Sequence, residues 1–592
     1  MIALFNAVRL ITYACAIYLY LQLLGFGLTR LLLGRRIISC QVWLAPWFGL
    51  MLAVLVLFCL SHLGIGTNRA FYVITAIGAL ELLICRAKRM PILTGLDEFD
   101  WWITAGAVAT FAIAVYPMLY LSHAPSTISL GNNDPALYAI ASDYLKSHSV
   151  ARIPSRDALY PDTILVNYLL SPGHRPGAFL ALSLFDVLFR APTYQVFSIV
   201  LAVMLALTTP LVAIFAHLAG GNRACGRIAV ALTFANVNFI YCYYHGFAAQ
   251  ILVLGCIVAT FIMVLVDERE KSFPLSHSIA VGFAMIAMIM MVPEGAAFFI
   301  IPYALFVALR TGSGACQPSE LARRYGPSFA VLAIAGIIPL WEGAVWLHHI
   351  SALQFGWQIP NWALPVHIIG LMSAVGRPHS ILMTGALSIP IVIAIGCGLT
   401  RMRERSLIAA LIGFDVAVLF YFGAVRAYSY AYYKAGVMAA FVFIAAFSAG
   451  LPRQLYKHVG AASAVLAIVS FIMCRPTISA MRHLPAAVRP GLAALGKIPP
   501  AVTRGQIISL DHLKLWDRLW ASDFMPDTAV TAHGTFFSVR TPTLILLPRS
   551  EADDVYRQGG RNVLWASAQF ELIRAPRASP ATRSDSVSNA NR

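Results

Sequence analysis

The residue best suited to acid–base chemistry is Asp134, in the segment SLGNNDPALYAIASDYLKSHS at 129–149. Asn-Asp-Pro is typical of a helix start, where a carboxylate accepts backbone N–H bonds and proline loses no hydrogen bond. Asp134 is therefore either a structural cap or a general base, and the two roles do not exclude each other. Asp143 lies about 180° round an ideal helix, so at most one of the two carboxylates should be central.

Several basic side chains in polar segments could hold a phosphate, because an arginine can bind phosphate oxygens in a bidentate manner. The candidates are His174 and Arg175 in Gly-His-Arg-Pro-Gly, Arg426 and Lys434 on either side of a tyrosine-rich turn, and Arg377 and His379 in another polar segment. The structural alternative for each is a side chain at a helix end that contacts lipid headgroups. The tyrosines between Arg426 and Lys434 are typical of an aromatic belt.

Glu294 follows Pro293 in a very apolar stretch, and an ionisable group at such a position suggests a function. Its alternative role is to cap the helix that follows. Glu342 is similar in position to Glu294. Other polar residues in apolar segments are expected to form interhelical contacts; they are His348, His349, Asp415 and Gln250.

The composition indicates an integral membrane protein. Hydrophobic residues make up 59% of the 592-residue chain, and charged residues 12%, about half the usual share. The net charge of +17 comes from short basic clusters between apolar runs, which is the positive-inside pattern and not a nucleic-acid-binding one. We expect an all-α polytopic transmembrane bundle with a small extracytoplasmic C-terminal α/β or α+β domain.

The basic clusters can all face the cytoplasm if about fourteen segments cross the bilayer. The predicted spans are 10–33, 42–64, 70–85, 101–121, 194–218, 227–244, 246–266, 275–293, 296–310, 328–349, 379–399, 406–424, 435–451 and 460–474. The apolar stretch Gly177–Phe189 must then lie in the interface or re-enter, because one more crossing would reverse every later cluster.

This topology divides the chain into five parts. They are N-terminal spans at 1–121, an extracytoplasmic loop with interfacial helices at 122–193, a bundle at 194–474, an extracytoplasmic domain at 475–574 and a disordered tail at 575–592. Within the C-terminal domain, the pattern predicts a helix over Ser509–Trp520 and strands near 528–532, 543–547, 562–566 and 570–574.

The layout resembles the GT-C superfamily of polytopic membrane glycosyltransferases: many spans, a large early outer loop with an acidic residue on a helix, and a C-terminal outer domain. This resemblance implies sugar transfer from a polyprenyl-phosphate carrier, with Asp134 as the general base. The sequence departs from the family pattern in two ways. It has Asn132-Asn133-Asp134 where paired acids are common, and the loop follows the fourth predicted span instead of the first.

The first functional hypothesis is therefore a membrane glycosyltransferase with a polyprenyl-linked sugar donor and a lipid, glycan or protein acceptor. Asp134 would be catalytic, and Arg175, His174, Glu294, Arg426 and Lys434 would bind substrate. The alternatives are a transporter or lipid flippase, and an envelope polysaccharide polymerase or ligase. No metal-ligand motif is present, although a divalent cation is possible. The expected location is a bacterial inner membrane.

Overall fold

The computed structural model describes residues 2–33, 41–89, 98–121, 125–171, 175–270, 274–312, 317–352, 364–372, 381–481, 488, 490–533, 537–551 and 562–575. The chain forms two compact units. The first contains Met1–Ile153 and Leu169–Ala487, and the second contains Pro154–Tyr168 and Val488–Arg592. The predicted class, a polytopic helical bundle with a small C-terminal α/β domain, is confirmed.

The first 480 residues contain 21 described α-helices. In chain order they are α1 (Ile2–Leu33), α2 (Gln41–His62), α3 (Thr67–Ala87), α4 (Glu98–Leu121), α5 (Asp134–Ser147), α6 (Pro161–Leu170), α7 (Pro176–Phe189), α8 (Thr193–Gly220), α9 (Arg223–Thr233), α10 (Val237–Tyr244), α11 (Ala248–Glu270), α12 (Leu275–Met291), α13 (Pro293–Gly312), α14 (Pro318–Ala335), α15 (Ile337–Ala352), α16 (Pro365–Ile368), α17 (Ile381–Arg401), α18 (Arg405–Phe420), α19 (Ser429–Gly450), α20 (Arg453–Lys457) and α21 (Val459–Ala480). A π-helix, Tyr421–Val425, follows α18.

Eleven of the described helices are long and apolar enough to cross a bilayer, and the bent pairs α9–α10 and α14–α15 raise the number to 13. α12 is equally apolar but has 17 residues, about 26 Å of helix. With α12 included, each of the predicted spans falls on a helix or a bent pair. α7 has 14 residues, about 21 Å, which is short against a hydrocarbon core of about 30 Å.

Helices α8, α11 and α19 form the centre of the bundle, and the most apolar windows of the three are 100%, 100% and 94% buried. α17 packs closely against α19 through two glycines. A Cβ atom on Gly398 would lie 1.8 Å from the Ala446 carbonyl oxygen, and one on Gly450 would lie 1.6 Å from that of Ala394. Only glycine permits this approach, which is how small residues allow helices to pack in membranes.

The second unit has a five-stranded sheet with the order β2-β1-β3-β5-β4. The strands are β1 (Ile507–Ser509), β2 (Ala529–Thr531), β3 (Leu544–Pro548), β4 (Val563–Ala566) and β5 (Phe570–Arg574), and the helices are α22 (Pro490–Ala493), α23 (Pro500–Thr503) and α24 (Leu515–Phe524). β1 pairs in parallel with both β2 and β3, whereas β5 is antiparallel to β3 and β4. The four predicted strands are present.

Two details of this unit differ from the sequence-based expectation. The predicted helix Ser509–Trp520 is wrong at its start, because Ser509 ends strand β1 and α24 begins only at Leu515. In addition, residues 154–168 belong to this unit: the Val530 N–H donates to the Leu159 carbonyl at 2.9 Å, and the Ser538 hydroxyl donates to that of Ala158 at 2.6 Å. The outer edge of β2 is thereby covered.

We expect Gly398→Val to lower the free energy of unfolding by about 1–3 kcal/mol, because its side chain would overlap the backbone of α19. The matched control is Gly396→Val on the same helix, where an added Cβ meets nothing within 4 Å. Unfolding of the purified protein in detergent, followed by heat or denaturant, measures both. Equal stability of the two variants would contradict the close crossing of α17 and α19.

Candidate active site

The segment 126–132, most of which is buried, holds the start of α5 in place. The Asn132 side-chain amide donates to the His245 carbonyl at 2.7 Å, and the Leu130 N–H donates to that of Tyr244 at 2.7 Å. Asn132 also accepts from the backbone N–H of Asp134 at 3.3 Å. These contacts fix Asp134 against the turn between α10 and α11, where an added Cβ on Gly246 would lie 2.5 Å from Pro135.

Asp134 does not cap its own helix. The N-cap is Asn133, without a side-chain capping bond, and Asp134 is the first residue of α5. Its half-buried carboxylate makes no ion pair with the residues that the structure describes. Among the described residues the carboxylate therefore has neither a side-chain capping bond nor an ion pair, although it lies in the first turn of α5.

Arg175 and Glu294 form an ion pair across 119 residues of sequence. The Arg175 Nη1 atom lies 2.8 Å from Glu294 Oε1, with 19% and 29% of the two side chains exposed. The second carboxylate oxygen of Glu294 accepts from the Trp346 indole N–H at 2.9 Å. The indole ring in turn lies 4.9 Å from the Arg175 guanidinium carbon. Glu294 therefore fixes the guanidinium, and does not simply cap α13.

Lys434 lies one turn into α19 among aromatic rings. Its Nζ atom is 4.3 Å from the centre of the Tyr430 ring and 5.1 Å from that of Phe247. These cation–π contacts stabilise an ammonium group without neutralising its charge. Within the described ranges Lys434 has no carboxylate partner at ion-pair distance, which distinguishes it from Arg175.

Asp134, Arg175, Glu294 and Lys434, here called the charged cluster, interact with one another electrostatically. Burial lowers the pKa of Arg175, but its neighbours Glu294, Tyr138 and Asp134 together raise it more, so its pKa lies above the ordinary value and the guanidinium stays charged. Lys434 interacts with the other three members. The structure thus brings together four of the six residues chosen from the sequence.

Three helices begin at the charged cluster. Asp134 opens α5, Arg175 is the N-cap of α7, and Glu294 lies in the first turn of α13. The free N–H groups and dipoles of helix N-termini favour anions. The cluster combines these positive helix ends with two cations and an unpaired carboxylate, which suits a phosphate group beside a group that accepts a proton.

The remaining candidates lie elsewhere. Arg426 is exposed at the end of the π-helix, next to Ala427 with a φ of 49°.

Asp143 accepts from the Thr193 backbone N–H at 3.2 Å and from its hydroxyl at 3.1 Å, and it pairs with Lys146. Burial and the neighbouring Asp143 raise the pKa of Asp186, which also contacts Thr193. Asp143 thus joins α5 to α7 and α8.

Several polar residues considered from the sequence have other positions. Glu342 lies 4.0 Å from His62, Gln250 is buried, and His348 is exposed. Asp415 is also buried, but its Oδ2 atom has no hydrogen-bond partner in the described part of the bundle, so the expected pairing of that atom is not found. His174, Arg377, His379 and the side chain of His349 lie outside the described residues.

The sequence reasoning missed three residues that shape the cluster: Trp346, Phe247 and Tyr138. Trp346 lies one helical turn after Glu342, so the two side chains share one face of the helix. The position of that glutamate could therefore have drawn attention to the tryptophan. Tyr138 lies one turn after Asp134, and burial raises its pKa, so the phenol stays neutral; it interacts with Arg175. Phe247 carries no sequence signal. Among the described residues, no three His, Cys, Asp or Glu side chains are grouped as a metal site.

Comparisons with known proteins add the following. No protein-family model matches the chain, and no curated protein matches its sequence. The chain is similar to two crystal structures of ArnT from Cupriavidus metallidurans, one in the apo state and one bound to undecaprenyl phosphate. For each, the TM-score is 0.44 and the sequence identity 11%, over 80% of this chain and 97% of that chain.

Replacing Arg175 by alanine should lower the free energy of unfolding by about 1–3 kcal/mol, because Glu294 would lose a charged partner at a half-buried position. The control is Arg426→Ala, which removes the same charge from an exposed side chain and should change stability by no more than about 0.5 kcal/mol. Thermal unfolding in detergent at neutral pH compares them. Equal losses would show that the Arg175–Glu294 pair contributes nothing specific.

Proposed function

We propose that this protein is a membrane glycosyltransferase that moves a sugar from a polyprenyl-phosphate carrier to an extracytoplasmic acceptor. One observation supports this most: the carboxylate of Asp134 has no ion-pair partner in the described chain and lies in one charged cluster with two cations and three helix N-termini. A base beside an anion site is what transfer from a lipid phosphate requires.

In the proposed reaction Asp134 accepts the proton of an acceptor hydroxyl. The acceptor oxygen attacks the anomeric carbon of the sugar, and a new glycosidic bond forms there. The bond between that carbon and the phosphate oxygen breaks, and its electron pair stays on the phosphate. Polyprenyl phosphate leaves with one more negative charge than it had in the donor, and nearby cations stabilise that charge.

Lys434 is the better candidate for the principal phosphate ligand. The charge of Arg175 is compensated by Glu294 at 2.8 Å, whereas the contacts that the structure gives Lys434 are with aromatic rings. A cation without a carboxylate partner attracts a phosphate more strongly than one already in an ion pair. Arg175, oriented by Glu294 and Trp346, would act as a second, geometrically fixed donor. Exposed Arg426 is then the weakest of the candidates.

The orientation belongs to the proposal as well. The basic clusters favour a topology in which the segment 122–193 and the C-terminal domain are extracytoplasmic. A lipid-linked donor would reach Asp134 and Lys434 from within the membrane plane, since both lie in a unit built largely from spanning helices. The acceptor would approach from the aqueous side. The bacterial inner membrane expected from the sequence is part of the same proposal.

Asp134→Asn should reduce sugar transfer by about 10²–10⁴-fold, because the amide cannot accept the proton. The assay follows label from radiolabelled polyprenyl-phosphate sugars, with purified protein in detergent or vesicles. Asp527→Asn, an exposed aspartate outside the membrane unit, serves as the control, and unfolding midpoints confirm that both variants are folded. Transfer by Asp134→Asn within tenfold of the native rate would rule out this residue as the base.

Lys434→Met should lower kcat/KM for the donor by about 10- to 100-fold, the loss expected for one hydrogen bond to a charged group. Lys434→Arg should recover part of it, because the positive charge is retained. Arg426→Met removes an exposed cation at the end of the preceding π-helix and should leave kcat/KM within about twofold of native. If Arg426→Met were the more damaging change, the phosphate would have to lie outside the charged cluster.

A further inference from the structure

Two carboxyl groups that the proposed reaction does not use meet at the hydroxyl of Thr193. Asp143 lies in the second half of α5, Asp186 lies in the second half of α7, and Thr193 is the first residue of α8. The Thr193 hydroxyl oxygen is 3.1 Å from Asp143 Oδ1 and 2.5 Å from Asp186 Oδ2. A single hydroxyl group therefore contacts one oxygen of each carboxyl group.

The hydrogen atoms available to these contacts can be counted. A hydroxyl group has one hydrogen to donate, and its oxygen accepts with its lone pairs, whereas an ionised carboxylate only accepts. If both aspartates were ionised, the Thr193 hydrogen could serve only one of them, and the other contact would bring two acceptor oxygens together. A second hydrogen therefore has to lie on one of the carboxyl groups, which then donates to Thr193 Oγ1. The geometry requires one protonated aspartate.

The environments of the two aspartates show which of them carries this hydrogen. Asp186 is buried, and its Oδ1 atom has no hydrogen-bond partner among the residues that the structure describes. An ionised carboxylate is costly at such a position. Asp143 instead accepts from the Thr193 backbone N–H at 3.2 Å and forms an ion pair with the partly exposed Lys146. Contacts of this kind stabilise a charged carboxylate, so the hydrogen bonds run from Asp186 through Thr193 to Asp143.

The charges around Asp186 favour the same assignment. Burial raises the pKa of Asp186 well above its usual range, Asp143 raises it further, and Lys146 offsets only a part of this. Both of these charged neighbours lie on α5. The helices α2, α3, α8, α11 and α12 also pack against α7, and among the described residues none of them brings an ionised side chain to Asp186. The contact from α3, for example, joins the hydroxyls of Thr67 and Ser183 at 2.8 Å.

The two helices that carry the aspartates also carry two members of the charged cluster. α5 begins with Asp134, Arg175 is the N-cap of α7, and both helices reach Thr193 after about 14–17 Å. The Ser142 hydroxyl of α5 donates to the Phe179 carbonyl of α7 at 3.1 Å. α5 and α7 are thus joined at two places beyond the cluster, and a change in either contact alters the relation between their first residues.

We propose that Asp186 is a positioning residue that carries a proton. Its hydrogen bond through Thr193 to Asp143 keeps α5 and α7 together. Asp134 and Arg175 are thereby held in the arrangement that the proposed reaction needs, and this role rests on the proposed function, whereas the proton does not. Removal of the proton would place two negative charges against one hydroxyl, and their repulsion would separate the two helices.

The first test concerns the proton and needs no turnover. Because the pKa of Asp186 is raised on folding, the folded protein binds more protons than the unfolded chain at every pH between the ordinary aspartate pKa, about 4, and the folded pKa. The free energy of unfolding of native protein therefore falls as the pH rises through this range. Asp186→Asn keeps an N–H donor for Thr193 but has no proton to lose. Its thermal unfolding midpoint should rise steadily relative to that of native protein between about pH 5 and pH 8.

Asp527→Asn is the matched control, because it makes the same change at an exposed position. It should follow native protein at every pH. An infrared difference spectrum of native protein against Asp186→Asn at neutral pH should also contain the C=O stretch of a protonated carboxyl group. Unfolding midpoints that run parallel in native protein and Asp186→Asn, or a difference spectrum without this band, would overturn the protonated aspartate.

The second test compares Asp186→Asn with Asp186→Leu in the sugar-transfer assay at neutral pH. Asparagine can donate to Thr193 as the protonated acid does, so kcat should stay close to native. Leucine fills the same space without a hydrogen bond and should lower kcat by about 10- to 100-fold, with a smaller change in KM, because the base is displaced. Ser183→Ala removes another buried hydroxyl of α7, one that contacts α3, and should behave as native. Equal kcat in the Asp186→Asn and Asp186→Leu variants would overturn the positioning role.

These experiments distinguish failure of the inference from failure of the proposed function. Native protein that transfers no sugar from any donor would refute the glycosyltransferase, while the unfolding curves would still decide whether Asp186 holds a proton. Hydrogen–deuterium exchange along α5 then replaces the assay of kcat. Faster exchange in Asp186→Leu than in Asp186→Asn would support the link between α5 and α7, and equal exchange would overturn it. Sugar transfer together with parallel unfolding curves would leave the enzyme in place and refute the proton.

Discussion

The ion pair between Arg175 and Glu294 is the contact on which the candidate site depends. It joins the start of α7 to the start of α13, and the indole of Trp346 adds α15 to the same junction. Charges in a weakly hydrated environment are costly unless they are paired and hydrogen-bonded. Because each group of this triad contacts the other two or is fixed by them, the starts of α7 and α13 and the middle of α15 are held together. Compensation of charge therefore fixes the Arg175 side of the site, while hydrogen bonds and close packing fix Asp134 against the turn between α10 and α11.

Two charges of the cluster remain outside this ion pair. Two of the four charges in the cluster cancel at 2.8 Å, and the other two, Asp134 and Lys434, have no ion-pair partners among the described residues. A carboxylate without a cation is reactive as a base, and an ammonium without a carboxylate attracts anions. The surrounding helix N-termini reduce the cost of bringing in a phosphate. One ion pair thus holds the scaffold, and in the proposed reaction the two remaining charges act on the substrate.

The sequence predicted most of the helices and strands, but not the side-chain contacts between different helices. Apolar runs and proline positions located the spans, because crossing a bilayer requires a minimum helix length. The contact between Arg175 and Glu294 carries no local signal, since the two residues lie 119 positions apart. Arg426 and Lys434 seemed equivalent in sequence, and only the π-helix and the left-handed Ala427 separate them in space. Strand β1 was missed because three residues are too few for a periodic pattern.

The structure also joins parts of the chain that the sequence separates. Residues 154–168 belong to the C-terminal unit, where the carbonyls of Leu159 and Ala158 accept hydrogen bonds from Val530 and Ser538. These contacts cover the outer edge of strand β2, and an edge strand without such cover exposes N–H and C=O groups that can pair with another chain. Because Ala158 and Ser538 lie 380 positions apart, no local pattern predicts the contact, and the sequence therefore assigned 154–168 to the loop 122–193 alone.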